Sequence, residues 1–259
     1  MAGRIMDSVS VSHERTARHN GAPRVLEERL VGRRIEEVGR KGKFLIAPMD
    51  DGQTLVAHLG MSGRFSISDT GDEVLPHTHV IIGLDNGAEI RFVDPRTFGF
   101  VAVFTEDELA ESGVARLGPD AWVEPPTVAE LSDKLAGRTA PIKALLLDQG
   151  PISGLGNIYA DEALYLARIN PLTPGGELTD DKIQAVLDAT RSVLAGALEH
   201  GGTSLDDLAY LLPNGQAGDN LEQLLVYGRE GLPCLNCGNP VEKVTVRARS
   251  THFCPVCQL

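Results

Sequence analysis

Between positions 44 and 104 the apolar residues come in short runs separated by turn residues. Phe44-Leu45-Ile46-Ala47-Pro48 and Thr54-Leu55-Val56-Ala57-His58-Leu59 flank Asp50-Asp51-Gly52, and His79-Val80-Ile81-Ile82-Gly83-Leu84 and Glu89-Ile90-Arg91-Phe92-Val93 flank Asp85-Asn86-Gly87. Asp-Gly and Asn-Gly reach the left-handed backbone that tight turns require, so each pair predicts a β-hairpin. Phe98-Gly99-Phe100-Val101-Ala102-Val103-Phe104 predicts one more strand. Short strands at this spacing predict a sandwich or barrel over residues 1 to about 117. Gly118-Pro119-Asp120 through Pro125-Pro126-Thr127 reads as a linker, and beyond it the period lengthens. Thr179 is a good N-cap; Ile183, Val186, Leu187, Val193, Leu194, Ala197 and Leu198 then form one helical stripe that Gly201-Gly202 ends. The chain has no internal repeat and no low-complexity tract.

Charge complicates any assignment to nucleic acid. The formal net charge is −12, with 24 Lys+Arg against 36 Asp+Glu, whereas proteins that neutralise phosphates are usually basic. The distribution is uneven, however. Residues 1–44 carry ten Arg/Lys against six Asp/Glu, and the stretch from Gly228 onward carries four against two. The acidic excess lies in the middle, and an acidic protein can still present a basic face. The sequence shows no apolar run of membrane-spanning length and no signal-type core at its start. A cytoplasmic protein with no membrane partner is the expectation.

Candidate chemistry is densest near the C-terminus. Cys234-Leu235-Asn236-Cys237 and Cys254-Pro255-Val256-Cys257 form C-x2-C-x16-C-x2-C and include every cysteine of the chain. Each C-x-x-C knuckle turns two sulfurs toward one point, and two knuckles complete a closed tetrahedral thiolate site suited to one structural Zn2+ ion. Four buried or redox cysteines are the competing reading. Between the knuckles, Lys243 to Thr251 reads as a basic strand–turn–strand. Such ribbons also occur in ribosomal and transcription proteins, so the cluster gives a metal and not a function.

Four stretches, in order, closely resemble the formamidopyrimidine-DNA glycosylase (Fpg/Nei) family. They are Arg40-Lys41-Gly42-Lys43-Phe44-Leu45 with His58-Leu59-Gly60-Met61-Ser62-Gly63; Asp94-Pro95-Arg96-Thr97-Phe98-Gly99; Ile142 to Gln149 with Ile152 to Glu162; and Val226-Tyr227-Gly228-Arg229 leading into the cysteines. The resemblance implies an α+β fold: a β-sandwich or barrel-like domain (residues 1–117), a helical domain with a helix–two-turn–helix motif (127–226) and a zinc ribbon (227–259). It implies a monomer that acts on double-stranded DNA containing an oxidised base or an abasic site, removes the base and nicks the strand by β,δ-elimination. Lys43 and Arg249 match the family's catalytic positions. Met61, Arg96 and Phe98 match the set that fills the gap left by a flipped base, and His77, Arg138, Lys143 and Asn157 match DNA-contacting positions. The residues themselves leave blander readings open. Met61 and Phe98 could be core, Gly154-Leu155-Gly156-Asn157 an ordinary helix–helix turn, and any lone Lys or Arg a solvated charge.

Three departures stand beside the resemblance. The family's nucleophile is an N-terminal proline in a Pro-Glu-Leu-Pro-Glu signature leading into a first helix, whereas this sequence opens Met1-Ala2-Gly3-Arg4-Ile5 and matches only after that helix. The expectation is that the coding sequence starts upstream of Met1; the alternative is a catalytically inactive lesion-binding paralogue. Gly218-Asp219-Asn220 occupies the place of the family's Gly-Tyr-Phe capping loop, and Thr97 replaces a second arginine.

Overall fold

The computed structural model describes residues 1–204 and 211–259. Of these, Met1–Ala115 and Thr203–Asp219 form one compact unit, and Arg116–Gly202 and Asn220–Leu259 form a second.

The first unit is a sandwich of two antiparallel sheets. One has the order β1 (Met6–Val11), β6 (Thr78–Leu84), β7 (Ala88–Val93), β5 (Arg64–Asp69); the other runs β2 (Gly39–Lys41), β3 (Phe44–Pro48), β4 (Thr54–His58), β8 (Phe100–Phe104). Both predicted hairpins form, with Gly52 at φ 79° and Gly87 at φ 82° in their turns. Alternate residues from the two sheets meet in one core: Met6, Val80, Ile82, Ile90 and Phe92 against Ala47, Leu55, Ala57, Val101 and Val103.

The sequence pattern did not reveal a 3-10 turn at Glu14–Asn20 or helix α1 (Pro23–Leu30). Helix α1 offers only Leu26 and Leu30 as buried positions, too few for a periodic signal, although Pro23 at its start suits a first helical turn. The 3-10 turn covers the outer edge of its sheet. Asn20 donates to Val103 O (2.7 Å) and accepts from Val103 N (2.9 Å), replacing a missing strand partner on β8.

The second unit is helical with a small hairpin. It contains α3 (Val128–Leu135), α4 (Ile142–Leu147), α5 (Asn157–Leu166) and α6 (Asp180–Glu199), together with β9 (Glu242–Val246) paired to β10 (Arg249–Phe253). A short helix of the first unit, α2 (Glu106–Glu111), precedes them. Thr179 caps α6 as expected, accepting from Lys182 N. Leu198 is a correction: it is 61 % exposed, because it falls on the margin of the stripe that Ile183, Val186 and Ala197 bury. The Gly118–Thr127 stretch is docked, not loose. Asp120 Oδ1 accepts from Trp122 N and Val123 N, and Ser153 Oγ donates to Gly118 O. Among the described residues no helix is long and apolar enough to cross a membrane.

Candidate functional site

In the first unit, two loops that are remote in sequence are welded together. Asp94, fully buried, accepts from Ser62 Oγ through Oδ1 (2.6 Å) and from Gly99 N through Oδ2 (2.7 Å). Ser62 Oγ in turn accepts from Arg96 N (3.2 Å). Gly60 is obligatory here: its φ is 67°, and a Cβ would lie 2.5 Å from Gly99 N. The result is a rigid mount on which Met61 is 53 % and Phe98 43 % exposed. These side chains are therefore not core, and the blander reading of both fails.

The other matched residues of this unit lie on neighbouring turns. The Arg96 guanidinium stands 5.7 Å over the Phe98 ring. His77, at φ 65° and exposed, accepts from Asp94 N through its carbonyl. Lys43 is exposed on the two-residue turn between β2 and β3, where Gly42 takes φ 57°. His58 was not singled out from the sequence. Burial, and then the cations Lys43 and Arg18, push its pKa down, so it stays neutral and its Nδ1 accepts from Gly60 N (2.9 Å). It thus braces the Met61 loop.

In the second unit, the turn between α4 and α5 is held by its own side chains. Gln149 Oε1 accepts from Gly154 N, and Gln149 Nε2 donates to Leu147 O and Leu155 O. Gly154 takes φ 100°. No side chain caps the N-terminus of α5, so the positive end of the helix is open to an anion. Asn157 sits there, with Nδ2 donating to Ser250 Oγ (3.3 Å) while Oδ1 is buried without a partner. Arg249 is exposed at the start of β10. The β9–β10 turn is Arg247-Ala248 at φ 45° and 60°, a left-handed pair formed without glycine. Arg138 is exposed in the turn after α3.

Lys143 is a correction to the expectation of a DNA contact. It has no exposed surface; its Nζ lies 2.6 Å from Asp161 Oδ1 and donates to Ser250 O (2.6 Å). Asp161 Oδ2 also accepts from His252 N (2.9 Å). A lysine so enclosed cannot reach a phosphate, and instead it ties α4 and α5 to the hairpin that carries Arg249. Burial lowers its pKa against the opposing pull of Asp161. A second buried acid, Glu162, accepts from Leu225 N, Val226 N and Tyr227 N at 2.8, 2.9 and 2.8 Å and anchors the segment leading to the cysteines.

The four cysteine sulfurs lie within 4.8 Å of one another, with Cys234–Cys257 at 3.8 Å and Cys237–Cys254 at 3.5 Å. A tetrahedral zinc with Zn–S near 2.3 Å sets sulfurs about 3.8 Å apart, so the set fits one structural zinc ion. The thiolates are also supplied with donors. Asn236 Nδ2 donates to Cys257 Sγ (3.2 Å), and the buried Tyr165 hydroxyl, on α5, lies 3.2 Å from Cys234 Sγ. With that sulfur ionised on a metal, the phenol is the donor. Removing it by Tyr165→Phe is expected to lower zinc affinity about ten-fold with the fold intact, as read by competition with a chromogenic chelator; equal zinc retention would show the contact to be inert.

A sandwich bearing exposed apolar loops, a helix–turn–helix with an open helix end and a thiolate-clipped hairpin define a zinc-ribbon class of fold. Three family models cover it: the formamidopyrimidine-DNA glycosylase N-terminal domain over residues 1–101, the formamidopyrimidine-DNA glycosylase H2TH domain over 117–208, and the zinc finger found in FPG and IleRS over 231–259. The formamidopyrimidine-DNA glycosylase of Chloroflexus aggregans is 45% identical over 230 residues, 89% of this chain and 82% of that protein. The one from Desulforamulus reducens is 38% identical over 262 residues, 100% of this chain and 93% of that protein. The crystal structure of the MutM (Fpg) protein from Thermus thermophilus superposes with a TM-score of 0.87 at 40% identity, over 100% of this chain and 92% of that one. Lactococcus lactis Fpg in complex with DNA containing an abasic site does so at 0.88 and 30% identity, over 100% of this chain and 93% of that one. The chain belongs to the formamidopyrimidine-DNA glycosylase family.

Proposed function

We propose that this protein is a base-excision-repair DNA glycosylase that removes an oxidised base and then cleaves the strand as an AP lyase, acting as a monomer. The observation that carries the reading is the mount holding Met61 and Phe98 in solvent beside Arg96. Apolar side chains so exposed on a braced loop suit insertion into a base stack, and the arginine can hydrogen-bond an orphaned base. Lys43 and His77 in the first unit, and Arg138, Asn157, Arg249 and the open end of α5 in the second, serve as backbone contacts. These position DNA without reading its sequence. The buried Lys143 holds Arg249 and Asn157 in register.

In the lyase reaction an amine attacks C1′ of the abasic sugar and water leaves, giving an imine. Loss of a C2′ proton expels the 3′ phosphate, and a second elimination expels the 5′ phosphate. Lys43 and Arg249 serve the proton transfers of these eliminations; the attacking amine is assigned to no residue of this sequence.

Borohydride trapping on duplex DNA with an abasic site tests the proposal, since reduction converts the imine into a stable covalent adduct. An adduct supports the lyase, whereas a salt-sensitive gel shift without adduct points to a lesion-binding protein. The Lys43→Ala/Asn157→Ala/Arg249→Ala triple variant is expected to lose roughly ten-fold or more in DNA affinity. Affinity equal to that of the unaltered chain would show that these three residues do not carry the DNA contact.

A further inference from the structure

The 3-10 turn Glu14–Asn20 carries two arginines that the sequence reading counted only toward net charge. Arg18 is committed to the wedge loop. Its guanidinium donates to Gly99 O (2.6 Å), Phe98 O (3.1 Å) and Arg15 O (2.7 Å), and it stands 4.9 Å over the Phe100 ring. Among the described residues, the Arg15 guanidinium makes no such bond. Arg15 is exposed, and its guanidinium lies 5.4 Å over the Phe98 ring, which Arg96 also overhangs at 5.7 Å.

Three guanidinium groups thus gather about one loop of a protein whose net charge is −12. Among the described residues, none of Arg15, Arg18 and Arg96 forms an ion pair with a carboxylate. Asp94, the acid that pulls the Arg18 pKa back up, is buried, accepts from Ser62 and Gly99, and forms no ion pair with any of the three. The crowding is visible in the titrating neighbours: beyond burial, Arg15 presses on Arg18, Arg18 on His19, and Lys43 and Arg18 on His58, each lowering its neighbour's pKa. Cations held together without a counter-charge repel one another, and an anion bound among them relieves that repulsion. Several other arginines of the unit pair with carboxylates, as Arg29 does with Glu108 (2.7 Å) and Arg33 with Asp51 (3.0 Å). Arg34 and Arg64 form no such pair among the described residues, but they are not gathered with other guanidinium groups about one aromatic ring.

We propose that Arg15 is a further DNA-backbone contact, taking a phosphate of the duplex into which Phe98 is inserted while its guanidinium stacks on that ring, with Arg18 as the positioning residue that fixes the ring's backbone. The inference rests on the wedge reading given above. Planar guanidinium suits the double duty, because one face lies on an aromatic ring while its edge donates to a phosphate.

The test is fluorescence anisotropy on a duplex carrying a tetrahydrofuran abasic analogue, using the full chain from about 50 to 200 mM salt. Arg15→Gln is expected to weaken binding about five-fold and to reduce the slope of log K against log salt by about 0.9, one phosphate's share. Arg15→Lys, which keeps the charge, should retain the slope. Arg15 is exposed and bonds only through its backbone, so circular dichroism should be unchanged in both. A slope and affinity for Arg15→Gln equal to those of the unaltered chain overturn the assignment, provided Arg249→Gln in the second unit lowers both. If the unaltered chain itself does not bind the duplex, the glycosylase reading falls, and this inference with it.

Discussion

Asp161→Asn is expected to cost about 3–5 kcal/mol of stability, the usual consequence of leaving one member of a buried ion pair without its partner. Lys143 Nζ, fully enclosed, would retain only Ser250 O and a neutral amide in place of a carboxylate 2.6 Å away. The loss should depend on pH in a defined direction. Burial already holds the Lys143 pKa below its ordinary value, and removing Asp161 removes the group that raises it. A lysine whose folded pKa lies below the unfolded one takes up a proton on unfolding, so stability rises with pH across that window. The variant's deficit should therefore shrink between neutral pH and the ordinary lysine range near about 10.4. Urea midpoints at several pH values measure this, and a deficit that does not change with pH would mean that the lysine is not the source. The double change Lys143→Met/Asp161→Leu should recover only part of the stability, since an apolar pair needs no counter-charge but leaves His252 N and Ser250 O without the partners that Asp161 and Lys143 supply.

Glu162→Ala should have an effect of similar size by another route. One carboxylate accepts three consecutive backbone N–H groups, from Leu225, Val226 and Tyr227, and Val226 has no exposed surface. Burial pushes the Glu162 pKa up, and those three donors pull it back. Each buried donor left unsatisfied costs about 1–3 kcal/mol, so a total of about 3–5 kcal/mol is expected once local relaxation is allowed. The damage should be local first. Amide exchange at residues 225–227 should accelerate far more than exchange at Ile183 and Val186 on α6. Uniform acceleration across the second unit would refute the anchoring role.

Much of the architecture was legible because it rests on local rules. Asp-Gly and Asn-Gly turns between alternating runs gave both hairpins, and the cysteine spacing gave the metal centre. The Thr179 cap fixed the start of α6. What was missed depends on distant partners. Asp161 and Glu162 stand inside a motif that was read for its glycines and Asn157, yet their roles come from Lys143 and His252 and from residues 225–227. Nothing within one helix shows that two adjacent acids are buried. Lys143 illustrates the opposite error: a lysine in a nucleic-acid motif reads as a phosphate ligand until its neighbours are known. Arg15 and Arg18 were overlooked because a 3-10 turn has too little periodicity to signal a face.

The braced loop that lifts Met61 into solvent also sets its redox exposure. Of the internal methionines, Met6 and Met49 are sealed in the sandwich at 0 % and 2 % exposure, leaving Met61 as the accessible thioether. Conversion to the sulfoxide would put a polar, chiral group where a flexible apolar one is needed. On the proposed reading, the oxidants that create this protein's substrate also dull the tool that handles it, and enzymatic reduction of the sulfoxide would restore the edge.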